Sequence, residues 1–190
     1  GDGDTNTGSD TIAIGTNLNF EDDGPSISVT ANAAADSLTV DETVLATNDS
    51  ANFADNFGST PSYGADGAGS VSSAYTLGVV AATDSGLTDV ATGEAVLLRM
   101  NGAVVEGYTE TSDDVVFTVS VSGAGLVTLD QIRALDHGDD SNDHDASLSL
   151  SSDAITLTRT DTITDGDGDT NTGSDTIAIG TNLNFEDDGP

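Results

Sequence analysis

The first 25 residues of this chain are also its last 25. Gly1–Pro25 reads GDGDTNTGSDTIAIGTNLNFEDDGP, and Gly166–Pro190 reads the same at an offset of 165 residues. A second copy without one difference is what a unit cut from a tandem array carries when a junction is kept at each end. The expectation is one domain of about 165 residues, long enough to bury a core. If Gly166–Phe185 supplies the last strand of this domain, then Gly1–Phe20 is the last strand of a preceding unit. On this reading Glu21–Pro25 is an inter-domain linker, residues 26–185 are the domain, and residues 186–190 lead to the next repeat.

What the domain does with its charge is the next constraint. There are three Arg, no Lys and 34 acids, for a formal charge of −31. The acids divide into 28 Asp and 6 Glu. Asp dominates where short carboxylates close turns or hold a hard cation. Repulsion on this scale opposes compaction unless counter-ions relieve it. Nothing in the chain neutralises phosphates, so nucleic acid and anionic bilayer surfaces are excluded as partners. The chain has no Cys, so a stable extracellular domain needs a staple other than a disulfide, and metal is the obvious one.

Apolar residues alternate with polar ones. Ile27 and Val29, Leu38 and Val40, Tyr75, Leu77 and Val79, and Val115, Phe117, Val119 and Val121 all follow a period of two. Leu148 and Leu150, Ile155 and Leu157, and Ile12 and Ile14 with their copies Ile177 and Ile179 do the same. These are half-buried strands. The pattern predicts an all-β antiparallel sandwich of eight to ten strands without internal Pro. Helix is expected for one or two turns at most, within Ser50–Phe57 and within Leu129–Leu135, where Asp130 can cap. Asn101-Gly102 predicts a two-residue hairpin, since both residues tolerate positive φ. Gly123-Ala124-Gly125 breaks the next pair. Gly58–Ser70 and His137–Asp145 read as loops.

The sharpest motif is Asp165-Gly166-Asp167-Gly168-Asp169. Carboxylates at alternate positions, with glycines between, can fold around one calcium ion, which takes six to eight oxygens at about 2.3–2.6 Å. The spacing matches the start of an EF-hand loop and then fails, with Thr170 where Gly is needed and Thr176 where Glu is needed. A calcium loop of a β-protein and a solvated turn both stay open. The N-terminal copy offers Asp2 and Asp4 but has no counterpart of Asp165.

Two acidic runs follow. Glu21-Asp22-Asp23, repeated as Glu186-Asp187-Asp188, repels itself unless a cation is shared. A linker calcium there would brace neighbouring domains, and a plain polar linker is the alternative. Asp41 and Glu42, just past a strand, can serve the same end. A third cluster contains His137, Asp139, Asp140, Asp143, His144 and Asp145. It reads first as a solvated acidic loop, with calcium or a His-ligated transition metal as alternatives.

Catalytic signatures are missing. There is no thiol, no Gly-x-Ser-x-Gly elbow and no Lys for a phosphate loop. With 34 acids, a glycosidase-like pair can be nominated anywhere, which carries no information. The chain is expected not to be an enzyme.

Several segments in order carry a family resemblance: Val40-Asp41-Glu42, Ala51–Phe57, Gly86–Asp89, Ala91–Val96, Val105-Glu106-Gly107, Thr128–Ala134, Asp165–Thr170 and Phe185–Pro190. From about Asp23 to Pro190 the chain resembles the tandem extender repeats of giant type I-secreted RTX adhesins of Gram-negative bacteria. The glycine-rich nonapeptide of the RTX β-roll is absent. The resemblance implies an immunoglobulin-like β-sandwich, several Ca2+ ions within and between domains, and an extracellular stalk that projects a distal binding domain for adhesion and biofilm formation. Its partners would be neighbouring repeats of the same polypeptide, with no membrane insertion, and a monomer in isolation. The rival reading is a calcium-dependent carbohydrate-binding module, which needs an aromatic platform from Tyr63, Tyr75 or Tyr108.

Overall fold

The computed structural model describes residues 1–32, 36–80, 83–138, 146–150 and 154–188. Fourteen strands lie among them. The first seven are β1 (Ser26–Ala31), β2 (Leu38–Asp41), β3 (Asp49–Asn52), β4 (Phe57–Ser62), β5 (Ala68–Val79), β6 (Thr83–Thr88) and β7 (Ala95–Asn101). The rest are β8 (Val104–Thr109), β9 (Val115–Val121), β10 (Leu126–Gln131), β11 (Ser147–Ser149), β12 (Ile155–Asp165), β13 (Thr170–Ala178) and β14 (Leu183–Glu186).

One layer is a six-stranded antiparallel sheet in the order β3-β10-β9-β8-β7-β6. Facing it are two three-stranded sheets, β13-β12-β5 and β11-β14-β2, while β1 and β4 pair as a separate ribbon. Leu98, Val105, Phe117, Val119 and Leu129 of the large sheet share one buried cluster with Leu77, Leu157, Ile177, Leu38 and Phe185 opposite. This is a β-sandwich whose core is almost wholly aliphatic. One pair departs from the antiparallel expectation: β2 and β14 run parallel, Leu38 beside Leu183 through Asp41 beside Glu186. The two strands come from opposite ends of the domain, so no hairpin dictates their direction.

Period-two alternation is the organising signal, and local irregularities follow from backbone geometry. In β9 Phe117 and Val119 point inward as expected, but Val116 is fully buried as well. Opposite it the register steps from Gly107–Phe117 to Tyr108–Val115, which leaves Val116 as the extra residue of a bulge. Its carbonyl accepts from the N–H groups of both Ile132 and Arg133. The predicted helix at Leu129–Leu135 is therefore strand through Gln131 and then irregular chain. Buried and exposed residues alternate along β10, so two neighbouring strands outweigh the capping signal.

Other expectations are corrected in the same way. Helix is confined to four 3₁₀ turns among the described residues: Gly15–Asn17, Glu42–Val44, Phe53–Asn56 and Gly180–Asn182. Gly58–Ser70 is not one loop; β4 and β5 occupy most of it and leave residues 63–67 as the turn. Pro61 lies inside β4, opposite Ile27, and β4 has no further strand on its other side. The β7–β8 hairpin turns one residue later than predicted. Its central pair is Gly102-Ala103, with Asn101 paired to Val104 and only Gly102 at positive φ (+62°). Glycine first is the signature of a type II′ turn, which needs one positive φ where type I′ needs two.

The duplicated segment has two structures. Gly166–Glu186 forms the β12–β13 turn, β13, a 3₁₀ turn and β14, burying Ile177, Ile179, Leu183 and Phe185. Residues 1–20 form no strand, and Ile12 and Phe20 are 79% and 94% exposed. The Gly-Thr-Asn 3₁₀ turn forms in both copies, because it needs no partner. The strands form only where another strand takes their hydrogen bonds.

Candidate metal centre

The Asp165–Asp169 motif makes the tight turn between β12 and β13. Asp165 Oδ1 accepts from the N–H groups of Gly168 (3.1 Å) and Asp169 (2.8 Å), and the Asp165 N–H donates back to Asp169 O. Beside it lies the turn between β4 and β5. The Gly166 N–H donates to Gly67 O at 3.0 Å. A Cβ on Gly166 would lie 2.2 Å from Asp66 O, so the two turns meet only because residue 166 has no side chain.

That meeting collects carboxylates from three stretches of chain. Asp66, Asp165 and Asp167 each offer an oxygen within 4.8 Å of the others. Asp22, Asp167 and Asp169 do the same, so Asp167 belongs to both groups. Asp165 is buried, and its Oδ2 has no hydrogen-bond partner. An acceptor-only atom with nothing to accept is a strong electrostatic reason for a cation at this place.

The titration of the cluster reflects crowding. Burial pushes Asp165 up, but hydrogen bonds from Asp167 and from the backbone of Asp169, Gly168 and Asp167 outweigh it, and its pKa lies below the usual range. Asp167 is raised, first by its hydrogen bond to Asp165. Asp169 is raised, first by its hydrogen bond to Asp22 and then by that residue's charge. An all-oxygen donor set of carboxylates suits a hard ion of the calcium type.

All three Arg are engaged away from this cluster. Arg99 pairs with Glu106 at 2.8 Å and with Asp113. Arg133 pairs with the fully buried Asp89 at 2.8 Å and with Asp114 at 3.2 Å. Arg159 pairs with the buried Asp161 at 2.7 Å. Lys is absent. No Arg therefore supplies counter-charge to the turn cluster.

A second group lies apart from the first. Glu42, His137 and Asp187 each offer a ligand atom within 4.8 Å of the others. Glu42 Oε1 accepts from Gln131 Nε2 and the Leu135 N–H, both at 2.7 Å, and lies 3.3 Å from His137 Nε2. The sequence named all three residues but assigned His137 to a different cluster.

The remaining candidates go elsewhere. Asp23 Oδ2 accepts from the Ala65 N–H, which fastens the acidic run to the β4–β5 turn. Asp41 caps the Glu42–Val44 turn through the Thr43 N–H, and hydrogen bonds from the Thr43 side chain and then its N–H lower the Asp41 pKa. Glu186 belongs to β14, opposite Ser147 and beside Asp41. Asp2, Asp4, Glu21, Asp41, Glu186 and Asp188 join no metal-type group among the described residues. Asp139 and Asp140, with Asp143, His144 and Asp145, lie outside the described residues. Asp66 was missed. Its one local signal is the Asp66-Gly67 dipeptide, which marks a turn but not what the turn faces.

Fold and site together define a disulfide-free, acidic β-sandwich with carboxylate clusters at its turns. Residues 37–178, about three quarters of the chain, match the family described as Domain of unknown function (DUF5801), and the chain belongs to that family. No curated protein and no solved structure matches it. Among the described residues, no helix is long and apolar enough to cross a membrane.

Proposed function

We propose that this domain is a non-catalytic, calcium-stiffened structural unit, one of a series forming the stalk of a secreted bacterial surface adhesin. The observation that carries this reading is the position of Asp22. It belongs to the acidic stretch Glu21–Pro25, yet its carboxylate meets Asp167 and Asp169 at the β12–β13 turn. An ion bound there ties the stretch entering the domain to the domain itself. Asp66, Asp165, Asp167, Asp169 and Asp22 would hold it, and its charge would relieve their mutual repulsion. The resemblance to extender repeats and the identical acidic stretch at both ends support a stalk.

The mechanism follows from the charge. Where calcium is scarce, the acids repel and the chain is poorly folded, which suits export. Outside the cell, millimolar calcium neutralises the clusters and the sandwich closes. A site saturated about 100-fold above its dissociation constant contributes roughly 2.7 kcal/mol to the folded state. That is a large fraction of a typical domain's stability. Two of the three tyrosines that the carbohydrate-binding rival would draw on are engaged within the domain. Tyr75 packs edge-on against Phe57, and Arg99 lies over the Tyr108 ring at 4.2 Å.

The test is a thermal melt of the domain and a small-angle scattering profile of a multi-repeat chain, each with calcium and with chelator. The expected result is a lower melting temperature and loss of the rod-like profile on chelation. Unchanged melting and dimensions would overturn the reading.

A further inference from the structure

The Glu42–His137–Asp187 group differs from the turn cluster in one chemical respect: it contains an imidazole. Calcium takes oxygen ligands, whereas imidazole suits divalent transition metals of the zinc type. From this geometry we infer a second metal site, selective for such an ion, at the end of the sandwich where β14 leads into the acidic stretch. It is independent of the calcium reading above.

The group is built into the fold. The side chains of His137 and Glu42 are 2% and 5% exposed. Glu42 is held by two 2.7 Å hydrogen bonds, from Gln131 Nε2 and the Leu135 N–H, so its carboxylate is fixed before any ion arrives. Gln131 is held in turn, since its Nε2 also donates to Arg133 O. Asp187 comes from the far end of the sequence and donates its N–H to Ala146 O.

What points to a ligand is the burial and spacing of these polar atoms. A neutral imidazole has one N–H and one lone pair. His137 Nε2 faces Glu42 Oε1 at 3.3 Å, while Nδ1 is buried with no hydrogen-bond partner. Gln131 Oε1, on the side chain that positions Glu42, is also buried without one. A separation of 3.3 Å is that of two ligands each about 2 Å from one ion, so Nε2 and Glu42 can share the cation, and metal on Nε2 leaves the ring proton on Nδ1. Two carboxylates and one imidazole make a three-residue set with an open position, as in zinc-type sites. The ion would pin Asp187 to Glu42 of the turn after β2 and to the segment after β10. That fixes the direction in which the chain leaves the domain.

The experiment uses the full chain in millimolar calcium, with Co2+ as a visible probe and Zn2+ as competitor. The expected result is one Co2+ bound with d–d absorption of low-coordinate type, displaced by Zn2+ and not by calcium. His137→Gln should weaken Co2+ binding by roughly tenfold or more, while Asp10→Asn, which removes an exposed acid outside both groups, leaves it unchanged. Displacement by calcium, or equal affinity in His137→Gln, would overturn the proposal. Imidazole ¹⁵N resonances of the unsubstituted chain provide a readout that needs no variant. A Zn2+-induced shift of one histidine is expected, and none at saturating Zn2+ would overturn the site. Failure here would leave the calcium response of the turn cluster intact, so the two readings fail separately.

Discussion

The rings of Phe117 and Phe185 meet at a centroid distance of 5.1 Å, tilted by 56°, and both side chains are fully buried. This contact joins β9, in the middle of the large sheet, to β14, the last strand of the domain. Phe20 occupies the matching place in the first copy of the duplicated segment and is 94% exposed. One sequence position thus exists in two environments within one molecule. Phe185→Ala should cost about 3–5 kcal/mol, the range for a buried aromatic. Phe20→Ala should change stability by less than about 0.5 kcal/mol. Urea denaturation of the two variants checks this, and equal losses would show that the first copy also takes part in the fold.

That contrast indicates what was legible in the sequence. Alternation along Leu77, Val119 or Leu157 identified strands and the faces they bury, because period two depends only on neighbours in the chain. The turn at Asp165–Asp169 was legible for the same reason. Asp66 was not, because its role depends on two turns meeting across about a hundred residues of intervening sequence. The grouping of His137 with Glu42 and Asp187 was hidden likewise. It needs β2 and β14 side by side, and a parallel pairing of two distant strands leaves no local trace. The surplus of Val116 and the one-residue shift at Gly102 are register effects, set by the neighbouring strand.

Asp165→Asn keeps the size of the side chain and removes its charge. The carboxamide would still accept at one oxygen, so the turn bonds to Gly168 and Asp169 have a replacement. Without calcium the variant should be somewhat less stable than the parent, because the lowered pKa of Asp165 means that its ionised form favours the fold. With calcium it should lose most of the stabilisation the ion provides. For about 2.7 kcal/mol, a domain of this size shifts its melting temperature by roughly 5–10 °C. A parent shift in that range that falls to near zero in Asp165→Asn is the expected calorimetric result.

Strong acid should weaken the fold at Asp89. The bidentate hydrogen bonds from Arg133 lower its pKa most, burial opposes them, Thr92 adds to the lowering, and the net value is about 2 against 3.8. A depressed folded-state value contributes stability that is present above the unfolded value and lost as pH falls through the folded one. The window therefore runs from pH 3.8 down to about 2, and the loss across it is about 2 kcal/mol. Asp167 and Asp169 have the opposite sign, because their values are raised. In chelator they favour the fold at low pH, and that contribution is lost as pH rises through their raised values. Melting temperature measured against pH should thus decline toward neutrality in chelator and lose that decline in calcium. The acid limb from Asp89 should remain in both.

Gly166 is the position where close backbone approach brings the two acidic turns together. A Cβ there would lie 2.2 Å from Asp66 O and 3.3 Å from its carbonyl carbon, both parts of a backbone that cannot rotate away. Gly166→Ala must therefore push the β4–β5 turn off the β12–β13 turn. It should cost about 1–3 kcal/mol, as other forced insertions into packed sites do. More tellingly, it should weaken calcium binding without removing a single ligand, because Asp66 is carried away from Asp165 and Asp167. Gly1 is the same residue of the first copy and has nothing within 4 Å of its Cβ position. Gly1→Ala should leave both stability and calcium affinity unchanged. Calcium titration calorimetry on the pair decides it: equal affinities would mean that the two turns do not form one site.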